Sequence, residues 1–231
     1  MATFEEQIEA ISGLTISESS TVPTQTQLTQ FLKDGIVEVI NRLAVAKPEV
    51  MVLFSTSVDI ADNSGTLIDN GLLISVMRAD GTSADNLYPC GKVSVENRYR
   101  ATDTTSLEYR SVYNPGFYVK DQKVYIVPAP TNNTTNKGVI TYVDYQNITY
   151  SQSSIPNFPK SYEYLVMLYG AIRSIESKMA EYAITEEDAE LVQIIQANLI
   201  SVQQQYNQAF ALSVPPSEEQ MSGINRRQGE E

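Results

Sequence analysis

Hydrophobic residues follow two different periods along this chain, and the order of those periods restricts the fold. They recur at helical spacing near both ends, whereas they alternate between Val50 and about Tyr150. Alternation indicates β-strands, and recurrence every three or four residues indicates an amphipathic helix. Strands placed between helical segments predict an α+β protein whose helical core is interrupted by an inserted, mostly antiparallel β module.

Two helices are predicted before the β block. Thr3 and Glu6 form the Thr-x-x-Glu pattern of a capping box, and Gly13 is a typical C-terminal stop, so the first helix is short. The second runs from about 26 to 46 and contains Gly35, which weakens a helix. Its apolar stripe contains Leu28, Phe31, Leu32, Val39, Ile40 and Leu43.

Several short strands, separated by turn signals, are predicted inside the β block. They cover residues 52–58, 72–77 and about 138–145, with a hairpin over 117–127 that breaks at 120–122. Asp80-Gly81 and Asn114-Pro115-Gly116 are turn signals, as are the Asx-Gly sequences at 62–65 and 69–71. We therefore interpret the Asx-Gly sequences as turns and not as calcium-binding loops, since the remaining ligands are missing.

Two long helices are predicted after the β block. The first follows Pro156-Asn157-Phe158-Pro159 and has an apolar stripe from Leu165 to Tyr182. Residues 185–188 supply an acidic cap for the second, whose stripe runs from Leu191 to Phe210. Because the connection is so short, the two helices are expected to pack as an antiparallel hairpin.

These patterns divide the chain into three regions. Residues 1–50 and 155–212 are predicted to form the helical core domain, residues 51–154 the inserted β domain, and residues 213–231 a flexible C-terminal arm. The arm contains Val214-Pro215-Pro216 and few apolar residues, so it can neither continue the helix nor bury a core.

The chain lacks the residues on which most enzymes depend. It has no histidine and a single cysteine, Cys90, which excludes Ser-His-Asp and Cys-His catalysis, thiolate metal clusters and most zinc sites. We interpret Cys90 as a small core residue, and the acids of the last helices, such as Glu176 and Glu181, as a solvated face and a helix cap. The prediction is a protein that is not an enzyme and holds no cofactor or metal.

Charge and hydropathy exclude two further classes of protein, those that grip nucleic acid and those that span a membrane. A formal net charge of −12 is unsuited to gripping nucleic acid, which needs a basic surface. No apolar run reaches the roughly 20 residues of a transmembrane helix, and no signal peptide is recognisable, so we expect a cytoplasmic protein without membrane contact. The 14 tyrosines, nine of them in the β block, indicate half-buried strand residues or a protein interface; a stacking platform for bases or sugars is a further alternative.

Residues 155–171 carry a resemblance to a known family. They read Ile-Pro-Asn-Phe-Pro-Lys-Ser-Tyr-Glu-Tyr-Leu-Val-Met-Leu-Tyr-Gly-Ala, which is similar to a segment of the head-to-tail connector adaptor proteins of tailed bacteriophages. A Pro-x-x-Tyr/His-x-x-Leu-x-x-x-Ala pattern opens a core helix there, and its first part occurs here at Pro159, Tyr162 and Leu165. The strand 124–127, followed by Pro128, looks like the end of that family's β insert. The likeness is architectural over most of the chain and sequence-like near 117–130 and 155–180.

The resemblance implies a structural protein of the virion. Identical subunits are expected to form a ring, a dodecamer, docked beneath the portal protein and continuing the DNA channel toward a downstream tail or nozzle protein. Genomic DNA would pass through without specific binding. The expected location is the neck between capsid and tail, with assembly in the host cytoplasm.

By the same resemblance, the C-terminal arm is the segment that docks on the portal. Its candidate docking residues are Val214, Pro215, Pro216, Met221, Ile224, Arg226 and Arg227. Two alternatives remain open. The chain could be another tail component (a tail-completion, baseplate or fibre-attachment subunit) that docks through its tyrosine-rich module. It could also be a hydrolase that uses two carboxylates within about 10 Å of each other.

Overall fold

A computed structural model of the chain describes residues 2–18, 21–68, 71–132, 134–185 and 189–214. In these ranges it contains five α-helices, one 3₁₀ helix and two four-stranded sheets, so the chain is of mixed α+β class. The α-helices are α1 (Phe4–Ser12), α2 (Gln25–Ala46), α3 (Arg98–Thr102), α4 (Lys160–Thr185) and α5 (Ala189–Ser213).

Residue contacts divide the chain into two compact units. The helical unit comprises Met1–Val50 and Gln146–Glu231, and the β unit comprises Met51–Tyr145. Residues 146–154 belong to the helical unit, although the sequence pattern had placed them in the β domain. They do so because the N–H groups of Phe4 and Glu5 donate to the carbonyls of Gln152 and Tyr150, at 2.7 and 3.1 Å.

Both helices at the N-terminus begin at capping boxes. The Thr3 hydroxyl accepts the N–H of Glu6 while the Glu6 carboxylate accepts the N–H of Thr3, which confirms the predicted cap. Thr24 and Gln27 form the same reciprocal pair at the start of α2. The predicted stop at Gly13 is also confirmed: its φ of 69° is left-handed, which glycine adopts without steric cost.

Helix α4 packs against α1, α2 and α5 within the helical unit. Two glycines allow the close approach. A Cβ on Gly35 of α2 would lie 3.0 Å from Cδ1 of Tyr169, and one on Gly170 would lie 2.8 Å from Cδ1 of Ile8. Gly35 therefore lies inside a continuous helix because the packing it permits offsets its low helix propensity.

Helix α5 extends further than its pattern predicted. Ser213 belongs to the helix, and the N–H of Val214 donates to the carbonyl of Phe210 at 3.1 Å. The helix ends there because Pro215 has no N–H and disfavours a helical conformation at the residue before it. Ser213, the first residue predicted for the arm, is thus part of the helix. Residues 215–231 and the predicted cap residues 186–188 lie outside the described residues.

The first sheet of the β unit is antiparallel. Its strand order is β1-β8-β3-β4, with β3 hydrogen-bonded to both β8 and β4. Its strands are β1 (Ser55–Ile60), β3 (Leu72–Ala79), β4 (Leu87–Pro89) and β8 (Gly138–Val143). Side chains from this sheet and the second one share a core of Ile60, Val76, Ile140, Val124 and Ile126.

The second sheet is mixed, so one pair of strands departs from the predicted, mostly antiparallel arrangement. Its order is β2-β7-β6-β5, from β2 (Thr66–Leu67), β5 (Gly91–Lys92), β6 (Gly116–Lys120) and β7 (Lys123–Val127). Strands β5 and β6 pair in parallel, with Gly91 opposite Gly116. Parallel neighbours need a long crossover, and the segment 93–115 with α3 provides it.

Local sequence signals predicted the hairpin correctly, but they did not predict the start of the β unit. Strands β6 and β7 pair with Lys120 opposite Lys123, so the predicted hairpin is confirmed. Asp121 and Gln122 both have positive φ, as a two-residue type I′ turn requires. The predicted strand over 52–58 is wrong in its first part: Pro48–Phe54 is a 3₁₀ helix, which Pro48 favours at its first position, and β1 begins only at Ser55.

A buried arginine fastens the segment after β7. The Arg78 side chain, on β3, is only 2% exposed. Its Nε donates to the carbonyl of Pro128 at 2.6 Å, and its Nη2 donates to the carbonyl of Ala129 at 3.1 Å and to Oδ1 of Asn136 at 2.7 Å. Its Nη1 donates to the carbonyl of Ala79. Burial lowers the pKa of Arg78, and the four oxygen atoms that accept its hydrogen bonds compensate for the hydration that the guanidinium loses.

Replacing this guanidinium should destabilise the β unit. Arg78→Lys removes the planar fork of donors and leaves buried carbonyls unpaired, so we expect a loss of about 2–3 kcal/mol in the free energy of unfolding. Arg100→Lys, at an arginine whose side chain is mostly exposed, is the matched control and should change it by less than about 0.5 kcal/mol. Urea unfolding followed by circular dichroism measures both, and equal midpoints would contradict the clamp.

Candidate interaction surfaces

Cys90 lies between β4 and β5 in an apolar environment. Burial raises the pKa of its thiol to about 12, and the Arg78 guanidinium opposes this effect only in part. Leu73 and Phe117 pack close to the same core. A thiol with this pKa is uncharged at neutral pH, which is the behaviour of a core residue and not of a nucleophile.

The thiol of Cys90 should therefore resist alkylation in the folded protein. At pH 8 we expect iodoacetamide to modify it at least about 100-fold more slowly than in 6 M guanidinium, because the thiolate fraction falls tenfold for each unit of pKa. Mass spectrometry of timed samples measures this rate. A native rate within a few-fold of the denatured one would show an accessible, ionisable thiol.

Three of the acidic side chains considered from the sequence, Glu176, Glu181 and Asp62, interact with residues close to them in the chain. Glu176 accepts from Arg173 at 2.5 Å, and Glu181 accepts from Lys178 at 2.6 Å. Asp62 accepts the N–H and hydroxyl of Ser64, which lower the pKa of its carboxyl and close the predicted turn. Within the described part of the chain, no group of three or more acidic, histidine or cysteine side chains is placed to hold a metal ion. None of the described helices is long and apolar enough to cross a membrane.

Tyrosines of the β unit form pairs and also present exposed rings. Tyr118 and Tyr125 stack across the β6–β7 hairpin with their centroids 5.0 Å apart. Tyr88 and Tyr113 meet edge to face at 5.8 Å. Tyr99 is 70% exposed, with the Arg98 guanidinium 4.3 Å from its ring centroid. Some tyrosine rings therefore pack within the β unit, as strand residues do, and others are exposed and available to a partner.

The exposed face of α5 carries no charged residue from Leu191 to Ser213. No acidic or basic residue occurs between Glu190 and Glu218 in a chain that is 19% charged overall. The exposed positions of α5 are small, amide or apolar, and they include Ile194 (61% exposed) and Leu212 (84% exposed). Hydrophobic periodicity identifies only the buried side of a helix. It therefore did not reveal that the exposed side of α5 lacks charged residues after Glu190. The run of uncharged residues in the sequence is the signal that could have identified it.

A second surface of the helical unit is a groove formed by α2, α4 and α5. The groove, of about 300 Å³, is lined by Glu38 and Arg42 of α2, by Arg173 and Glu176 of α4, and by Tyr206 and Asn207 of α5. Arg42 donates through Nε to Glu38 at 2.6 Å, and its guanidinium lies 5.4 Å from the Tyr206 ring centroid and 5.7 Å from that of Phe210. We call this feature the α2–α4–α5 groove.

Of the candidate docking residues in the arm, only Val214 lies within the described range. Its N–H continues the hydrogen bonding of α5. Pro215, Pro216, Met221, Ile224, Arg226 and Arg227 lie outside the described residues.

No protein-family model matches this chain, and no curated protein matches it either.

Proposed function

We propose that this chain is a non-enzymatic structural protein of a tailed bacteriophage, a head-to-tail adaptor whose copies form a ring under the portal and continue the DNA channel toward the tail. The support from sequence is the segment 155–171 and the layout of helices around a β insert. The observation that carries the proposal is the uncharged face of α5 with its exposed Ile194 and Leu212.

That face suits contact between identical subunits. Copies that each carry a net charge of −12 repel one another, and they do so least where a surface has no charge. The cores of protein interfaces are depleted in charged residues. Gln204 and Gln205 add amides that can donate and accept hydrogen bonds across a contact. A ring uses one heterologous contact repeatedly, and a stable contact of this kind buries roughly 2,000 Å² or more.

The finer parts of the proposal concern arrangement and partners. Helices α4 and α5 form an antiparallel hairpin in the core, and twelve copies match the portal above them. The arm binds the portal, with Met221 and Ile224 as apolar anchors and Arg226 and Arg227 as charge partners. The net acidity lets DNA slide past the channel wall without binding, because like charges repel phosphate.

One observation favours a second candidate, a different tail component. The exposed Tyr99 and the Arg98 guanidinium above it lie in the β unit, where a fibre or baseplate protein could dock. This candidate predicts a copy number that differs from that of the portal.

Charges placed on the α5 face should prevent assembly. Ala197→Glu with Gln204→Glu puts two carboxylates on exposed positions seven residues apart, so the fold should change little in stability while each subunit contact gains repulsion. We expect the double variant to remain monomeric in sedimentation velocity under conditions where the unmodified chain forms rings, alone or on the portal.

The control variant is Ala10→Glu, at an exposed position of α1, which should assemble normally. Assembly of the double variant at the unmodified level would show that α5 is not the contact. A chain that stays monomeric even with its portal would contradict the adaptor function itself.

The arm makes a separate prediction. Met221→Asp with Ile224→Asp removes both apolar anchors, and we expect at least about tenfold weaker binding to the portal, since two buried apolar side chains contribute several kcal/mol. Gln228→Asp is the control for added charge. Surface plasmon resonance on immobilised portal measures the affinities, and unchanged binding would remove the arm from the contact.

A further inference from the structure

A pocket of about 450 Å³ lies in the β unit, at the crossover segment 93–115. Its polar lining comes from Lys92 at the end of β5 and from Asn97, Glu108, Arg110 and Asn114 of the crossover. This volume falls within the range of pockets that enclose a ligand. We call this feature the crossover pocket.

Two glycines give the Arg110 side chain a defined place in the pocket. Gly91 and Gly116 lie opposite each other in the parallel β5–β6 pair. A Cβ on Gly91 would lie 3.4 Å from Nη1 of Arg110, and one on Gly116 would lie 3.1 Å from its Cγ. The main-chain N–H of Arg110 donates to the carbonyl of Ala101 at 2.9 Å. Because the side chain already packs along the strand pair, it loses less conformational entropy when a ligand binds.

The basic groups of the crossover pocket have no acidic partner within the described residues. Nη1 of Arg110 donates to Oδ1 of Asn114 at 3.1 Å, and this acceptor is neutral. Neither Arg110 nor Lys92 forms an ion pair in the part of the chain that the structure describes. A guanidinium has five N–H donors in a planar fork, so Arg110 keeps donors that match the two oxygens of a carboxylate.

Glu108 also lines the pocket, and its carboxylate is engaged by other residues. Its Oε1 accepts from Nδ2 of Asn97 at 3.3 Å and lies 3.9 Å from Nη1 of Arg100, which does not line the pocket. The charges of Glu108 and Arg100 therefore compensate each other, and the pocket keeps those of Arg110 and Lys92. In a chain of net charge −12, this local positive excess is complementary to a carboxylate of another molecule.

The apolar part of the lining indicates what kind of molecule carries that carboxylate. Leu107 is fully exposed and Tyr109 is 40% exposed, and both line the pocket. An exposed leucine gains from contact with an apolar side chain, and arginine and tyrosine are enriched in protein interfaces. Nucleic acid is a poorer match, because its binding needs a basic surface that neutralises several phosphates. The observations therefore favour a polypeptide.

We propose that the crossover pocket binds an acidic segment of a partner protein. One carboxylate of that segment accepts from the Arg110 guanidinium, and an adjacent apolar side chain packs on Leu107 and Tyr109. Lys92 adds positive potential at the same place. The inference goes beyond the adaptor function and does not depend on it, since the pocket can bind such a segment whether or not the chain associates with a portal.

Peptide titration followed by NMR tests this contact on the full chain. The probe is the acetylated and amidated tripeptide Leu-Glu-Leu, and its matched control is Leu-Gln-Leu, which has the same shape without the charge. The protein variants are Arg110→Gln and Lys120→Gln. Both remove one positive charge from the β unit, but Lys120 lies at the end of β6, is half exposed and does not line the pocket.

We expect Leu-Glu-Leu to shift the amide signals of the crossover and to bind at least about tenfold more tightly than Leu-Gln-Leu. Arg110→Gln should abolish that preference and Lys120→Gln should retain it. Equal affinities of the two peptides for the unmodified chain would overturn the proposal, and this comparison needs no variant to fold. A preference that survives in folded Arg110→Gln would also overturn it, as would stronger binding of a short oligothymidylate at the same signals, which would indicate a phosphate site.

Discussion

The packing of α4 against α1 and α2 is the interaction on which the helical unit depends. These helices are separated in sequence by the whole β unit, so their contacts close a long loop and must offset its entropy. Gly170 against Ile8 and Gly35 against Tyr169 set how closely the helices approach. The main-chain bonds from Phe4 to Gln152 and from Glu5 to Tyr150 join the same two segments at their edge.

This packing explains why both surfaces of the helical unit involve α5. Helix α4 contacts three helices, whereas α5 buries Leu199, Val202 and Tyr206 on one side and leaves the other to solvent. An exposed helix ordinarily carries charges, and α5 carries none from Leu191 to Ser213. Its edge toward α2 and α4 instead borders the charged groove. One helix thus has an uncharged exposed face and an edge that borders charged side chains.

Features that depend on neighbouring residues in sequence could be predicted. The cap at Thr3, the stop at Gly13 and the hairpin at Asp121-Gln122 each follow from a few adjacent residues, and the structure confirms them. Features that depend on residues far apart in sequence could not be predicted. The Arg78 clamp joins residues about fifty positions apart, and the parallel pairing of β5 with β6 leaves no periodic trace.

The candidate surfaces were harder to predict than the fold. The tyrosine content pointed to a possible interface because tyrosine is enriched in interfaces, but it could not separate stacked rings such as Tyr118 from exposed ones such as Tyr99. The groove depends on three helices meeting, and the helical stripe marks Tyr206 only as apolar although its hydroxyl lies beside Arg42. Burial patterns identify which residues face inward, and they do not reveal which polar groups meet there.

We propose that this chain completes a channel beneath a portal. The most direct test of this proposal is the mass of the complex formed when the purified chain is mixed with the portal protein of the same virus, measured by light scattering after size-exclusion chromatography. We expect a single species with equal copy numbers of portal and chain, which two rings of matching symmetry would give. Two separate peaks, or a copy number unequal to that of the portal, would contradict it.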